Sequence, residues 1–377
     1  MRRLSSIIAI AATAGTIIAG LSALPATAST ASTSTASLST AAASVATARK
    51  PHTAGTVTVF DHIPQFGIYR STDPSYTPPA GVLMWNHGTE YARQLSTDEK
   101  AKIGSDVALR LTYHAQCDNY DRFGNVFYIA MPHGQTPTAS TPRVTLEDFI
   151  TPFSDYWQGN LATRQYPDAS MSGFANALAD PNRDVWVGIS GGSNPYSGDP
   201  CDGKGLPTSF TDVGFSYSLA LVSTKPLVSA DPDVDAILSR YGLTTNTYTS
   251  PAVPNTAEHG TGKLAVSIAG YGADSGGEEY TNTTITVNVN GAKLTSFSDA
   301  VDCAQYAVYS PDGNPGIFVG NTTYNPRSWC PGAAIPTRFF DLGDIANKTT
   351  TVNLAIDRPT PFTAESQYRT SLAILEQ

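Results

Sequence analysis

The stretch Thr284-Ile-Thr-Val-Asn-Val-Asn290-Gly291 decides the fold class. Over Thr284–Val289 polar residues alternate with β-branched apolar ones, as they do in a strand that buries one face. Asn290-Gly291 follows at once, and Asn-Gly is the strongest local signal for a two-residue hairpin turn. The stretch therefore predicts an antiparallel β-hairpin.

Similar short runs, bounded by turn residues, recur along the chain and predict further strands. They lie at Val107–Thr112, Val126–Ala130, Val185–Ile189, Phe215–Val222, Leu264–Ile268 and Val352–Ile356. Helical patterns are few and short, and they predict helices at Thr97–Ile103, Ser172–Ala179 and Asp233–Tyr241. Strands separated by turns, without alternating helices, indicate an all-β sandwich or jelly roll rather than a parallel α/β sheet.

The N-terminus has the pattern of a secretory signal peptide. Arg2-Arg3 supplies a positive start, Ile7 to Leu24 an apolar segment, and Ala26-Thr27-Ala28 a small-residue cleavage site. We therefore expect residues 1–28 to be removed and the protein to be secreted. Residues 29–52 are dominated by Ser, Thr and Ala, which bury too little apolar surface to order themselves, and they predict a linker.

The length that remains, about 325 residues, suits two domains better than one core. The segment from Lys225-Pro226 to about Pro232 predicts the boundary between them. We therefore expect an N-terminal domain over residues 53–225 and a C-terminal domain over residues 226–377.

The net charge limits the partners that this chain can bind. The chain has 23 basic and 32 acidic residues, a formal net charge of −9. Without Arg2 and Arg3 the balance is 21 against 32, or −11. Because phosphate groups are neutralised by clustered Lys and Arg, and no basic run occurs, we expect no nucleic-acid and no anionic-membrane partner. We expect a monomer.

Four cysteines, an even number in a chain expected to be exported, predict two disulfides. Three pairings are possible. We favour Cys117–Cys201 and Cys303–Cys330, which place one bridge in each predicted domain. The six histidines are scattered singly, with no HxxxH or CxxC spacing, so we expect no metal site and no other cofactor.

The first candidate for chemistry is Cys117-Asp-Asn-Tyr-Asp121-Arg122, on a tight connection after a predicted strand. Asp121 stands between Tyr120 and Arg122. A neighbouring cation is expected to lower the pKa of this carboxyl and to keep it ionised as a base or an acceptor. The alternative is an Asp-rich turn capped by its own side chains.

The second candidate is Gly276-Gly277-Glu278-Glu279-Tyr280. Adjacent carboxylates repel each other, so one is expected to be solvated while the other faces inward. The glycines allow a ligand to approach the backbone closely. The alternative is an ordinary acidic loop.

The third candidate is Asn325-Pro-Arg-Ser-Trp-Cys-Pro-Gly332. A disulfide at the cysteine and a Pro-Gly turn are expected to hold Arg327 and Trp329 at a fixed surface. A planar guanidinium fork and an indole face suit a neutral polyhydroxylated ligand. Read alone, the motif is equally consistent with a stapled turn.

One further pattern is discarded. Gly188-Ile-Ser190-Gly-Gly192 matches the GxSxG motif of serine hydrolases, which requires a helix directly after the serine. Ser193-Asn-Pro-Tyr-Ser-Gly-Asp-Pro200 follows instead, and it cannot be helical.

Four motifs occur in one order along the chain. They are Cys117-Asp-Asn-Tyr-Asp121-Arg122; Phe149-Ile-Thr-Pro152-Phe153; Glu279-Tyr280 running to Val289-Asn290; and Trp329-Cys-Pro-Gly332 followed by Pro336-Thr-Arg338. This succession resembles the peptide:N-glycosidase F family, whose own motifs occur in the same order. The similarity covers roughly residues 55–377, with substantial divergence between the motifs.

The resemblance implies two eight-stranded jelly rolls packed side by side. It implies hydrolysis of the amide between the innermost N-acetylglucosamine of an N-glycan and asparagine, without a cofactor, on N-glycosylated peptides and proteins. Asp121 and Glu279 resemble the catalytic carboxylates. The residues expected to contact the substrate are Tyr120, Arg122, Glu278, Tyr280, Arg327 and Trp329.

The chain also departs from the family pattern. Tyr280 stands where the family has tryptophan, and Ser190–Gly191 where it has a further glutamate. A non-catalytic glycan-binding protein on the same scaffold is therefore the alternative hypothesis. A copper-dependent monooxygenase would share the paired jelly rolls, but the scattered histidines oppose it.

Overall fold

All seven strands predicted from alternating runs are present, and most extend beyond the predicted ends. The computed structural model describes residues 51–116, 118, 120–153, 163–193, 213–228, 234–255, 260–272, 278–310, 314, 326–358 and 366–376. Cys117, Cys201 and almost all of the predicted signal peptide and linker lie outside these residues. Within them, no helix is long and apolar enough to cross a membrane.

The described part of the first half contains ten strands and two short α-helices. The strands are β1 (Thr56–Phe66), β2 (Val82–Trp85), β3 (Glu90–Gln94), β4 (Ala108–Ala115), β5 (Phe123–Met131), β6 (Val144–Ile150), β7 (Thr163–Gln165), β8 (Ala169–Ser170), β9 (Asp184–Ser190) and β10 (Val213–Val222). The helices are α1 (Thr97–Lys100) and α2 (Ala175–Ala179), both inside predicted helical ranges.

The described part of the second half contains eleven strands. They are β11 (Val234–Leu243), β12 (Thr247–Thr249), β13 (Val253–Pro254), β14 (Thr261–Tyr271), β15 (Thr284–Val289), β16 (Ala292–Ser298), β17 (Ala334–Pro336), β18 (Arg338–Asp344), β19 (Thr349–Thr350), β20 (Val352–Asp357) and β21 (Gln367–Glu376). Single 3-10 turns lie at Asn86–Gly88, Ser172–Phe174, Glu278–Tyr280 and Cys303–Tyr306.

The helix predicted at Asp233–Tyr241 is wrong. Its described part, from Val234, belongs to β11, which pairs antiparallel with β21 over a register that joins Val234 to Leu375 and Arg240 to Thr370. Local helical propensity is worth only fractions of a kcal/mol per residue, so pairing with a distant strand overrides it.

The hairpin at β15 and β16 is confirmed. Val289 pairs with Ala292, and Asn290 and Gly291 have φ angles of 50° and 82°. Positive φ at both central residues is what a type I′ turn requires, and its twist matches that of the flanking strands.

The strands form two β-sandwiches, so the predicted all-β class is confirmed. In the first, the sheet β1-β10-β4-β7, with β8 beside β4, faces the six-stranded sheet β17-β6-β5-β9-β3-β2. In the second, β11-β21-β14-β18 faces β12-β20-β15-β16. Alternate side chains of the facing strands fill each core with Val, Leu, Ile, Phe and Tyr. The predicted domain limits at residues 225 and 226 stay a prediction.

One strand crosses between the two halves of the sequence. β17 follows the Trp329 motif, yet it pairs with β6 of the first sandwich, Ala334 opposite Phe149 and Pro336 opposite Glu147. Pro336 is tolerated because β17 is the edge strand of its sheet. Because β17 pairs with β6, the segment before β17, which contains Trp329, is placed against the first sandwich.

The predicted pairing of Cys303 with Cys330 is confirmed, with the two Cα atoms 5.1 Å apart. The bridge connects the turn at Cys303–Tyr306 to the Trp329 motif. The other predicted pairing falls on residues outside the described ones.

Glu147 of β6 is fully buried in the first sandwich. Among the described residues, neither of its carboxyl oxygens has a hydrogen-bond partner. Burial, and then the neighbouring carboxyls of Asp148 and Asp168, raise the pKa of Glu147 to about 8. The carboxyl is therefore protonated in the folded protein at neutral pH.

Glu147 predicts a pH-dependent stability. Because its pKa is higher in the folded than in the unfolded chain, its contribution is fully present below pH about 4.5 and is lost as pH rises to about 8. Over that range we expect the free energy of unfolding to fall by a few kcal/mol at most, at up to about 1.4 kcal/mol per pH unit. Urea unfolding of wild type and Glu147→Gln, measured at several pH values, checks this.

Glutamine cannot ionise, so the variant should lose the dependence even if its stability is lower at every pH. Equal slopes in the two proteins between pH 5 and 8 would contradict the assignment.

Candidate functional site

The site is built around a contact between Asp121 and Trp329, which are 208 residues apart in the sequence. The indole Nε1–H of Trp329 donates a hydrogen bond to Oδ2 of Asp121 at 2.5 Å. Asp121 lies at the end of the turn before β5, on the first sandwich, and Trp329 lies in the segment before β17. The β17–β6 pairing therefore brings the two predicted site residues together.

The turn before Asp121 is held by Asp118. Nε and Nη2 of Arg122 donate to its two carboxyl oxygens at 2.7 and 3.1 Å, and the amide of Tyr120 donates to Oδ1 at 3.0 Å. Asp118 is fully buried. The reading of an Asp-rich turn capped by its own side chains therefore applies to Asp118, whose role sequence reasoning missed.

Thr151, the residue directly after β6, holds the same turn from the other side. Its hydroxyl accepts the amide N–H of Arg122 at 2.6 Å and donates to the carbonyl of Tyr120 at 3.1 Å. The amide of Thr151 donates to the carbonyl of Arg122 at 2.8 Å. The carbonyl of Tyr120 and both the N–H and the carbonyl of Arg122, the two neighbours of Asp121, are thereby fixed.

The expected low pKa of Asp121 is wrong. Burial raises its pKa to about 6, against the opposing effects of the Trp329 hydrogen bond, Arg122 and Arg327. Nε and Nη2 of Arg122 donate to Asp118, and its charge also acts on Asp121, whose pKa it lowers. Asp121 retains some accessible surface but is surrounded by protein on most sides, and desolvation outweighs the two cations.

The Trp329 segment is pinned by backbone hydrogen bonds. Arg327 exchanges two of them with Val301, at 2.8 and 3.1 Å, and the amide of Ser328 donates to Thr281 at 2.7 Å. The amide of Gly332 donates to the carbonyl of Ile150 at 3.1 Å. With the Cys303–Cys330 bridge, these contacts tie the segment to both sandwiches.

The expectation that Arg327 and Trp329 stand at the surface is wrong. They are 1% and 5% exposed. Nε of Arg327 donates to the carbonyl of Trp329 at 2.7 Å. The indole packs against Phe123, with ring centroids 5.9 Å apart. The disulfide-linked turn can face inward because the Nε of Arg327 and the indole N–H of Trp329 have protein hydrogen-bond partners in place of water.

Glu279 approaches the same place from the second sandwich. It lies in the 3-10 turn Glu278–Tyr280, and its Oε1 accepts the amide N–H of Gly272, just after β14, at 3.1 Å. Its own amide donates back to the carbonyl of Gly272 at 3.3 Å. The side chain of Glu278 lies outside the described part of the structure.

Electrostatics link these residues into one group, here called the carboxylate cluster: Asp121, Glu279, Tyr280, Arg327 and Trp329. Burial lowers the pKa of Arg327, while Asp121, Tyr280 and Glu279 act against that. Burial raises the pKa of the Tyr280 phenol, and Glu279 and Asp121 add to it. Two carboxyl groups from different sandwiches thus lie within electrostatic range of one buried guanidinium.

Tyr120 stands at the edge of the cluster and is 40% exposed. The guanidinium carbon of Arg122 lies 5.1 Å from its ring centroid, and Phe153 meets the ring edge-on at 5.2 Å. Of the predicted substrate contacts with a described side chain, Tyr120 therefore presents the most accessible ring, while Tyr280 is buried.

Part of the sequence matches a known protein family. Residues 244–374, which contain Glu279 and the Trp329 segment, match the family model described as "Peptide-N-glycosidase F, C terminal". The chain is related to the peptide-N-glycosidase F family. No curated protein sequence shows significant similarity to the chain.

Solved structures of this family share the fold. PNGF-II is 16% identical, with a TM-score of 0.61; the match covers 85% of this chain but only 65% of PNGF-II. A peptide-N(4)-(N-acetyl-β-D-glucosaminyl) asparagine amidase is 15% identical, with a TM-score of 0.53 over 85% of this chain and 96% of that one. PNGase F, a glycosylasparaginase from Flavobacterium meningosepticum, is 14% identical, with a TM-score of 0.50 over 85% and 95%.

The disulfide predicts a measurable stability effect. In the chain-entropy model, releasing a loop closed by residues 27 apart costs about 3 to 4 kcal/mol. We expect the double variant Cys303→Ser/Cys330→Ser to lose that much in denaturant unfolding under oxidising conditions. An unchanged unfolding midpoint would show that the backbone contacts alone hold the segment.

Proposed function

We propose that this chain is a deglycosylating amidase that hydrolyses the amide between the innermost N-acetylglucosamine of an N-glycan and asparagine. The observation that carries the proposal is the Trp329–Asp121 hydrogen bond beside Arg327 and Glu279. It holds a carboxyl group whose pKa lies near neutrality, as general acid–base catalysis favours. The relationship to an asparagine amidase supports the choice of reaction.

In the proposed reaction, water attacks the carbonyl carbon of the asparagine side-chain amide. Ionised Asp121 takes a proton from this water as the C–O bond forms. The C–N bond then breaks, and the sugar nitrogen receives a proton. The products are aspartate and a glycosylamine, which releases ammonia on further hydrolysis.

The other residues of the carboxylate cluster have separate roles in this proposal. Trp329 orients Asp121 through its N–H donor. Glu279, fixed by the amide of Gly272, is the second catalytic carboxylate and accepts a hydrogen bond from the reacting water or the sugar. Arg327 offsets the negative charge of the two carboxylates and, with Tyr280, shapes the buried side of the cluster.

Substrate contact falls chiefly to groups with accessible surface. The ring of Tyr120, supported by Arg122, offers a face for the C–H side of a sugar. Glu278 directly precedes Glu279 in the sequence, and we assign it to substrate contact as well. We propose extracellular N-glycosylated peptides and proteins as substrates, and a monomeric, secreted enzyme without a cofactor.

The direct test is to replace each carboxylate by its amide. For Asp121→Asn and Glu279→Gln we expect kcat/KM for glycan release from a denatured glycoprotein to fall by roughly 10²- to 10⁴-fold, the usual contribution of a general acid–base group. Asp341→Asn is the matched control, because Asp341 is an exposed carboxylate on β18, where it pairs with Lys263. A double variant that matches wild type would remove both residues from the mechanism.

Trp329 predicts a shift in the pH profile. The indole donor stabilises the ionised form of Asp121, so its loss in Trp329→Phe should raise the pKa of Asp121 above about 6. Because Asp121 acts ionised, the acid limb of kcat/KM should move to higher pH. Kinetics between pH 4 and 9 measure this.

Trp186→Phe is the control for this shift. Trp186 is buried to the same extent, 6% exposed, but in the described structure its Nε1–H has no hydrogen-bond partner. An equal displacement of the acid limb in both variants would mean that lost packing, not the hydrogen bond, is responsible.

The alternative is a glycan-binding protein that has lost turnover. It is favoured by Ser190, the last residue of β9, which stands near the position of the family's further glutamate. Glu147 does not fill that role, since its carboxyl is enclosed in the first sandwich. Mass spectrometry of a treated glycopeptide separates the two functions, because hydrolysis converts Asn to Asp and binding leaves it unchanged.

A further inference from the structure

A buried polar group joins the two sandwiches next to the carboxylate cluster. Oδ1 of Asp148, on β6, accepts a hydrogen bond from the side-chain Nδ2 of Asn125 at 2.8 Å, and its Oδ2 accepts one from the hydroxyl of Ser267 on β14. Nε of Arg369, on β21, lies 3.9 Å from the same Oδ1. Each sandwich therefore contributes one charge to a buried ion pair.

Arg369 also lies over the ring that supports Trp329. Its guanidinium carbon is 4.4 Å from the ring centroid of Phe123, within cation–π range. Phe123 is two residues after Asp121 and packs against Trp329, with an interplanar angle of 31°. Burial lowers the pKa of Arg369 to about 9, so it remains a cation at neutral pH.

We propose that Asp148 and Arg369 are positioning residues for the carboxylate cluster. Asp148 orients Arg369, Arg369 holds the Phe123 ring against the indole of Trp329, and the indole is thereby aligned on Asp121. A buried ion pair is weak evidence for stability by itself, but its fixed geometry can specify one arrangement of the groups around it. Only the consequence for catalysis rests on the proposed amidase function.

The Trp329–Asp121 hydrogen bond can be observed without an activity assay. The chain has four tryptophans, so a ¹H–¹⁵N spectrum contains four indole N–H resonances at most, and Trp329→Phe assigns the one in question. This resonance should titrate with Asp121, with a midpoint near pH 6 in the wild type. Arg122, Arg327 and Tyr280 interact electrostatically with Asp121, and Glu279 interacts with Arg327 and Tyr280.

In Arg369→Met and in Phe123→Leu, we expect the resonance to move toward its position in Asp121→Asn. The midpoint should rise by roughly half a pH unit or more, because the ionised carboxyl loses part of its donor. The double variant should show no greater change than either single one, since both break the same chain of contacts. If the protein is the proposed amidase, kcat should fall about tenfold while KM changes less.

Arg338→Met is the matched control. The guanidinium carbon of Arg338 lies 4.4 Å from the ring centroid of Phe297 in the second sandwich, the same distance as between Arg369 and Phe123. The substitution should leave the Trp329 resonance unchanged. Asp148→Asn, which keeps the shape of the side chain, tests the same proposal if Arg369→Met does not fold. Thermal unfolding is measured for every variant.

Three results would overturn the positioning role: an unchanged resonance and midpoint in the Arg369 and Phe123 variants, an equal change in Arg338→Met, or additive changes in the double variant. Absence of glycan release by the wild type, with the expected resonance changes intact, would refute the amidase and leave the positioning role standing.

Discussion

The addition of residues 332–336 to the edge of the first sandwich is the constraint on which the site depends. Gly332 donates to Ile150, Ile150 donates to Ala333, and β17 continues the ladder along β6. Since strand pairing fixes register to a single residue, it also fixes Trp329, three residues earlier, against Asp121. Gly332 has a φ of 83°, a conformation that glycine adopts without strain.

Arg164 supports the same connection from the first sandwich. Its Nε donates to the carbonyl of Gly332 at 3.3 Å, and its guanidinium carbon lies 3.4 Å from the ring centroid of Tyr309. The crossing segment is therefore held by a ladder on one side and by a buried cation on the other. Both contacts therefore help to hold Trp329 beside Asp121.

Local sequence signals predict the elements whose hydrogen bonds join residues close together in the sequence, such as the β15–β16 hairpin. Asn290-Gly291 defines its hairpin through its own φ angles, and the prediction was correct. The helix predicted at Asp233–Tyr241 is wrong because β11 depends on pairing with β21, more than a hundred residues away. The Trp329 motif does not reveal its own burial, since nothing in its sequence shows that β17 joins the first sandwich. Adjacency to Arg122 predicts a low pKa for Asp121, but it does not reveal that the carboxyl group is buried, and burial is the larger effect.

The burial of Arg327 changes how this site can recognise a ligand. A buried guanidinium whose Nε is bonded to the Trp329 carbonyl acts through its charge rather than as a planar fork for the ligand. The partly accessible groups are Asp121, Glu279 and the ring of Tyr120. Carboxylates accept hydrogen bonds from sugar hydroxyls and repel anions, and an aromatic ring covers a C–H face. These groups suit the neutral, hydroxyl-rich ligand of the proposed function, in which Asp121, with a pKa of about 6, exchanges the proton.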